Sequence, residues 1–285
     1  MIKFSIHPFF FLVFFLALFH GFLYEVLLLF VIVLIHELGH ACTARSFGWR
    51  VRKVALLPFG GVAEVEEHGN RPLKEEFLML AAGPLLNVIM IGFGWFALQA
   101  GLWQENFAYL FLEYNLIIVL FNLLPIWPLD GGKLLQLAFS LFIPFKKAIR
   151  YSLFVSGGCL LVYLLVIILA FPHYFFLWVV AGFLLVAQYI EWKQSPYQFM
   201  RFLMERHRRL KEAHPALAEQ AVLSLTVFPW QKVQDVTQQM RRHKWHYFCL
   251  VDSRGRVVHI FNENDLLDLY FSERMARVPL GDIFT

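Results

Sequence analysis

Residues 151–190 contain no Asp, Glu, Lys or Arg, and Pro172-His173 is the one polar break in the stretch. A bilayer core about 30 Å thick is crossed by about 20 mainly apolar residues in a helix. The stretch therefore reads as two spans, 151–171 and 174–191. Four more segments have the same character: 5–20, 22–44, 76–98 and 107–124. The first is like a signal-peptide core, but no small-residue cleavage pattern follows it and the chain runs straight into the next span. It is expected to stay as an anchor. The fold class that follows is an α-helical polytopic membrane protein with six transmembrane helices.

Charge divides the chain further. Residues 1–193 carry 23 charged side chains in 193 positions, whereas 194–285 carry 23 in 92. Soluble domains average about 25% charged, so the last third has an ordinary soluble composition. The expected domains are a membrane domain at 1–193, a basic linker helix at 194–215 and a small cytosolic domain at 216–285. The net charge of +4 makes no case for nucleic acid. The three cysteines, Cys42, Cys159 and Cys249, form no CxxC pair, which argues against a disulfide framework. With six spans, all 25 Lys and Arg fall on the side of the N-terminus, and the short loops on the far side hold none. The positive-inside rule then places both termini in the cytoplasm.

Ionisable groups inside a span are costly and point to function. Span two reads His36-Glu37-Leu38-Gly39-His40. At 100° per residue, His36 and His40 share one helix face, one turn apart, a spacing that lets two imidazoles hold one tetrahedral zinc ion. Glu37 points to a neighbouring direction, where it can act as general base in the HExxH pattern. Three such groups on an apolar helix are expensive without a metal or partners. A catalytic zinc takes three protein ligands and keeps one position open. Asp130 is the candidate third ligand. It lies in the run Asn122-Leu-Leu-Pro-Ile-Trp-Pro-Leu-Asp-Gly-Gly132, where Pro125 and Pro128 break the helix. Irregular backbone at membrane depth is tolerated where it lines a cavity or packs inside protein.

HELGH in one span and NxxPxxPLDGG in a later one resemble the site-two protease family of intramembrane zinc metalloproteases. Gly83-Pro84-Leu85-Leu86-Asn87 is similar to that family's central segment. The resemblance implies zinc held by His36, His40 and Asp130, with Glu37 as catalytic acid/base. It also places Asn122 and Asn87 near the active site, each either contacting substrate or bonding local backbone. The compact six-span form is similar to sporulation members of the family. That likeness implies a protein substrate, pro-sigma-K, on the mother-cell side of the membrane around the forespore, and inhibitory or scaffolding membrane partners.

Peptide hydrolysis needs an extended substrate. Val51–Val65 has two β-rich runs around Pro58, Phe59, Gly60 and Gly61, a hairpin-like turn. It is expected to lie near the zinc and add the substrate as a β-strand, with an ordinary cytoplasmic hairpin as the alternative. The basic run 194–215 is expected either on anionic headgroups or simply in water. Farther on, Val233–His243 reads as helix, Tyr247–Asp252 and Arg256–Phe261 as strands, and Asn264–Tyr270 as helix. His243 and His246 read as surface residues. This order resembles a single CBS (cystathionine β-synthase) motif. CBS motifs work in pairs, which implies a homo-oligomer, and they often bind ATP, with Asp265 at the ribose position. Here His259 and Asn262 stand where Gly and Ser/Thr are usual, and the alternative is a domain that contacts only substrate or partner protein. A membrane ion transporter with a CBS regulator is the competing function. It should show polar residues spread over several spans and internal repeats, whereas here polarity gathers at 36–40 and 122–130.

Overall fold

The computed structural model describes residues 3–6, 18–19, 21–49, 51–57, 60–65, 71–211, 221–272 and 275–284. The chain divides into two compact units. Met1–Glu67, Leu73–Leu135 and Val155–Tyr189 form the first, and His68–Pro72, Gln136–Phe154 and Ile190–Thr285 form the second.

In the first unit, helices α1 (Leu23–Ser46), α2 (Leu73–Gln99) and α3 (Glu105–Asn122) pack side by side. Apolar surface gives no net gain between helices in lipid, so such contacts rely on close packing through small residues. Gly39 of α1 lies against Ala82 and Leu86 of α2, and Gly94 of α2 against Phe111 and Leu112 of α3. Ile32, Phe111 and Ile118 form the shared apolar core. α1 ends where Gly48 turns to a positive φ of 72°. The Trp49 N–H then donates to the Ala44 carbonyl at 3.0 Å, and its indole N–H donates to Glu75 Oε2 at 2.8 Å. These bonds pin the end of α1 to the first turn of α2.

After α3, the proline-broken segment leads into α4 (Asp130–Phe142), then α5 (Phe145–Ala170) and α6 (Phe175–Lys211). Ile126 and Leu129 of that segment are buried with Leu160 of α5 and Val180 and Leu184 of α6. Strands β1 (Lys3–Ile6), β2 (Val51–Leu57) and β3 (Gly60–Val65) make a sheet in that order. β1 runs parallel to β2, and β2 pairs antiparallel with β3 down to Leu57 opposite Gly60. The two expected β-runs are thus paired strands; Pro58 and Phe59 lie outside the described residues.

Among the described residues, four helices are long and apolar enough to cross a membrane: α1, α2, α5 and α6. Large apolar side chains on them stay exposed, such as Leu85, Val88, Ile89 and Phe96 on α2 and Leu161, Val162 and Leu169 on α5. A soluble surface does not tolerate so continuous an apolar face, and lipid does. α3, with 18 residues and Glu105 and Glu113 within it, is not one of the four. The expected span at 5–20 begins inside β1, and most of the rest of it lies outside the described residues.

The second unit has its own sheet, ordered β4 (Ala221–Val227), β5 (Lys244–Val251), β6 (Val257–Asn262). β4 and β5 are parallel, and β5 and β6 antiparallel. Phe248, Leu250 and Phe261 on one face are buried, as are Val233 and Val236 of α7 (Val233–Thr237) and Leu266 and Leu267 of α8 (Glu263–Phe271). Several expectations are corrected here. The helix from Val233 ends at Thr237 instead of His243, and β4 is an additional strand. The basic run 194–211 is helical, as a helix leaving span six would be, and continues α6 in one 37-residue helix. Arg206, expected on headgroups or in water, is only 3% exposed. It donates to Glu263 Oε2 at 2.9 Å and to the Lys244 carbonyl. His246 is not a surface residue either. It is 0% exposed, its Nε2 accepts the Arg241 N–H at 3.1 Å, and its Nδ1 lies 3.6 Å from Glu263 Oε1. Burial pushes the Glu263 carboxyl up, and Arg206 and His246 more than offset this, holding it below the usual range.

His243 has a positive φ of 55°. Burial first, then the charges of Arg242, Arg206 and Arg209, lower its pKa from 6.5 to about 4. The unfolded chain therefore takes a proton at pH values where the folded domain resists it. Its contribution to stability is full above pH 6.5 and is lost as pH falls toward 4. The melting temperature of this domain is expected to drop over that window, and His243→Gln is expected to flatten the drop. Melting curves of both proteins across the window check this.

Candidate metal centre

His36 and His40 leave α1 on the face turned to α2, both buried. Gly83 is what makes room for them, because a Cβ there would strike both rings. Asp130 is the first residue of α4 and is equally buried. It is delivered by a tightly wound segment in which Gly131 lies against the Leu123 and Leu124 carbonyls and Gly132 against Ile126 and Trp127. The result is a triangle of ligand atoms. His36 Nε2 and His40 Nε2 are 3.1 Å apart, and each is 3.1 Å from Asp130 Oδ2. The other carboxylate oxygen, Oδ1, faces Lys133 Nζ at 3.6 Å.

The outer ring nitrogens decide what this triangle is. His40 Nδ1 lies 2.7 Å from the Met79 carbonyl oxygen, which can only accept, so Nδ1 carries the proton. His36 Nδ1 lies 2.6 Å from Asn87 Oδ1, which again accepts. Both Nε2 atoms then present lone pairs, and Asp130 adds a third acceptor. Three acceptors in mutual contact and out of water repel one another unless a cation lies among them. A tetrahedral zinc ion with bonds of 2.0–2.2 Å spaces its ligand atoms about 3.3 Å apart, close to the separations here. The donor set of two imidazoles and one carboxylate, oriented from behind, fits zinc with one coordination position left over. Glu37, in the same turn of α1, is buried beside the two histidines in sequence.

This geometry agrees with what the chain is similar to. The model of "Peptidase family M50" matches residues 24–103 and 96–164. Stage IV sporulation protein FB of Bacillus subtilis (strain 168) is 40% identical over 287 residues, covering 99% of this chain and 96% of that protein. The chain belongs to peptidase family M50. Another relative, the zinc metalloprotease MJ0392 of Methanocaldococcus jannaschii, is 32% identical over 144 residues, covering 49% of this chain and 41% of that protein. Among solved structures, the site-2 protease from Methanocaldococcus jannaschii superposes with a TM-score of 0.54 at 27% identity, covering 66% of this chain and 89% of that one. This M50 chain is accordingly a membrane zinc metalloprotease of the site-2 type.

The other expected site residues are placed as follows in the M50 fold. Asn87 is fully buried and binds His36 from behind. Asn122 turns its amide N–H to the Ile118 carbonyl of its own helix at 3.0 Å. Gly60 and Gly61 open β3, opposite Leu57 and Leu56. Asp265 belongs to the second unit, where its Oδ2 accepts the Asn262 N–H at 3.0 Å and closes a capping box on α8.

Sequence reasoning missed three uncharged residues, Asn115, Ser156 and Gln188, because it searched the spans for ionisable groups. Ser156 of α5 is fully buried. It accepts the Trp127 N–H at 2.8 Å and donates to Gln188 Oε1 of α6 at 2.7 Å. The freed backbone N–H of the Asp130 segment is thus satisfied by Ser156 of α5, whose hydroxyl is in turn held by Gln188 of α6. Ser156→Ala leaves that buried N–H without its acceptor, at about 1–3 kcal/mol. It is expected to weaken zinc binding about tenfold, the lower range for residues that support metal ligands. Equilibration of the purified protein with zinc and a competing chelator measures this. Unchanged affinity would mean that apolar packing alone holds the segment.

Proposed function

We propose that the chain carries out regulated intramembrane proteolysis in sporulation, removing the pro-sequence of a membrane-associated sigma factor of the pro-sigma-K type. The similarity to stage IV sporulation protein FB along 99% of the chain supports this, because it extends through the C-terminal domain as well as the catalytic part. His36, His40 and Asp130 would hold the metal. When bound, zinc activates a water molecule and polarises the scissile carbonyl. The Glu37 carboxylate accepts the proton of that water and returns it to the departing amine. Asn87 and the Met79 carbonyl keep the two imidazoles oriented throughout.

The wider reading counts six spans, adding α3 and the stretch 5–20 to the four long helices. It places both termini in the cytoplasm by the distribution of Lys and Arg. The substrate joins the edge of the hairpin formed by β2 and β3 as an extended strand, with Asn122 near the cleavage point. The order β4, α7, β5, β6, α8, with one parallel and one antiparallel pair, is consistent with a single CBS-like motif. On that reading the domain pairs with a second copy, and ATP is its candidate ligand. The capping box that engages Asp265 weighs against a ribose contact. Inhibitory or scaffolding membrane proteins complete the proposed regulation.

Full-length protein in liposomes, loaded with zinc, should cleave pro-sigma-K and leave an unrelated single-span protein intact. Equal cleavage of both, or of neither, would sink the substrate assignment. In the same assay, substitutions at 58–61 should lower cleavage while zinc content stays at wild-type level.

A further inference from the structure

Asn115 sits in the middle of α3, fully buried, one helix removed from the ligands, on the far side of Asn87. A chain of hydrogen bonds links it to the centre. Asn115 Nδ2 donates to the Phe111 carbonyl at 2.8 Å. Asn87 Nδ2 donates to Asn115 Oδ1 at 3.1 Å. Asn87 Oδ1 accepts from His36 Nδ1 at 2.6 Å. The chain begins at a main-chain carbonyl, which can only accept. Asn115 must therefore turn its NH2 group to Phe111 and its oxygen to Asn87. Asn87 must in turn face Asn115 with NH2 and His36 with oxygen. His36 must put its proton on Nδ1, which leaves the Nε2 lone pair facing His40 and Asp130. Every link has a fixed direction because the first one has.

We infer that Asn115 is a positioning residue that sets the tautomer of His36 through the orientation of the Asn87 amide. His40 has the direct form of the same device, since its Nδ1 bonds the Met79 carbonyl at 2.7 Å. Both ligand histidines are thus held by a backbone carbonyl, one directly and the other through two side-chain amides. Without Asn115 the Asn87 amide loses what distinguishes its two ends. It can then rotate its NH2 group toward His36, which moves the ring proton to Nε2 and blocks that ligand atom. This inference rests on His36 being a metal ligand.

The test is a competition titration of the full-length protein in detergent, with zinc and a chelator of known affinity. It compares wild type, Asn115→Leu and Asn115→Asp. A protonated aspartic acid keeps one donor for Phe111 and one acceptor for Asn87, so Asn115→Asp should bind zinc within about twofold of wild type. Asn115→Leu should bind about 10–100-fold more weakly, the range found when groups behind a metal ligand are removed. Nitrogen-15 spectra of labelled histidine should show proton density appearing on Nε2 of His36 in the Leu variant alone. If Asn115→Leu fails to assemble, Asn115→Ser, too short to reach Asn87, takes its place. Equal zinc affinity in all variants, or equal loss in the Asp and Leu variants, overturns the inference. A wild-type protein that binds no zinc would instead refute His36 as a ligand.

Discussion

Gly83→Ala is expected to strip the metal from this protein while leaving the helices in place. A Cβ on residue 83 would lie 2.7 Å from His36 Nε2 and 2.6 Å from His40 Cε1, and closer still to His40 Nε2. It would lie between the two nitrogens that would hold the zinc. The neighbours cannot yield cheaply. Both imidazoles are tied from behind, His36 by Asn87 and His40 by Met79. On the same contact, Gly39 lies against the Ala82 carbonyl and the Leu86 side chain, so α1 and α2 have little slack to separate. Pro84 follows immediately in α2, removing one N–H from the helix ladder. Misplacing two of three ligands by even part of an ångström removes most of a metal site's affinity, and in this case a carbon atom competes for the site itself. Zinc content after purification should fall to near zero and cleavage with it, with circular dichroism unchanged. Full zinc occupancy in Gly83→Ala would show that the metal lies elsewhere. Gly92, which has open space where a Cβ would go, is the control, and Gly92→Ala should keep its zinc.

The difference between Gly83 and the histidines shows what the sequence could and could not reveal. His36 and His40, which the structure brings together with Asp130, were legible because ionisable groups inside an apolar helix are rare and need a partner. The four long helices were legible from apolar length alone. Asn115, Ser156 and Gln188 were not, since an uncharged polar side chain in an apolar helix is inexpensive enough to be common. Its importance depends on which backbone group lies opposite, and that is set by helix packing. Arg206 shows the opposite failure. A run of five basic residues reads equally as a face on anionic headgroups or in water, but Glu263, 57 positions later, takes this one arginine out of water. The buried charge then has to be matched by a partner at good geometry, and spacing along the chain carries no trace of it. β4 did leave a signal, the alternation Ala221-Val-Leu-Ser-Leu-Thr-Val227, with inner positions more buried than outer ones.

Glu37→Gln should separate binding from chemistry. Glutamine has nearly the same shape as glutamate but cannot accept a proton, so the substitution would remove the proposed general base. Glu37 is not part of the ligand triangle, which His36, His40 and Asp130 close by themselves. Zinc affinity and melting temperature should therefore remain close to wild type. Loss of a positioned base costs about 10²–10⁴ in rate, equivalent to about 3–5 kcal/mol of barrier. The loss should appear in kcat with little change in KM, because the group acts on the water and not on substrate binding. His36→Ala differs in kind: it should lose zinc and cleavage together. Unchanged cleavage by Glu37→Gln would defeat the role assigned to this residue whatever the metal content. Loss of zinc in Glu37→Gln would instead make Glu37 a fourth ligand, closing the position that water and the scissile carbonyl must share.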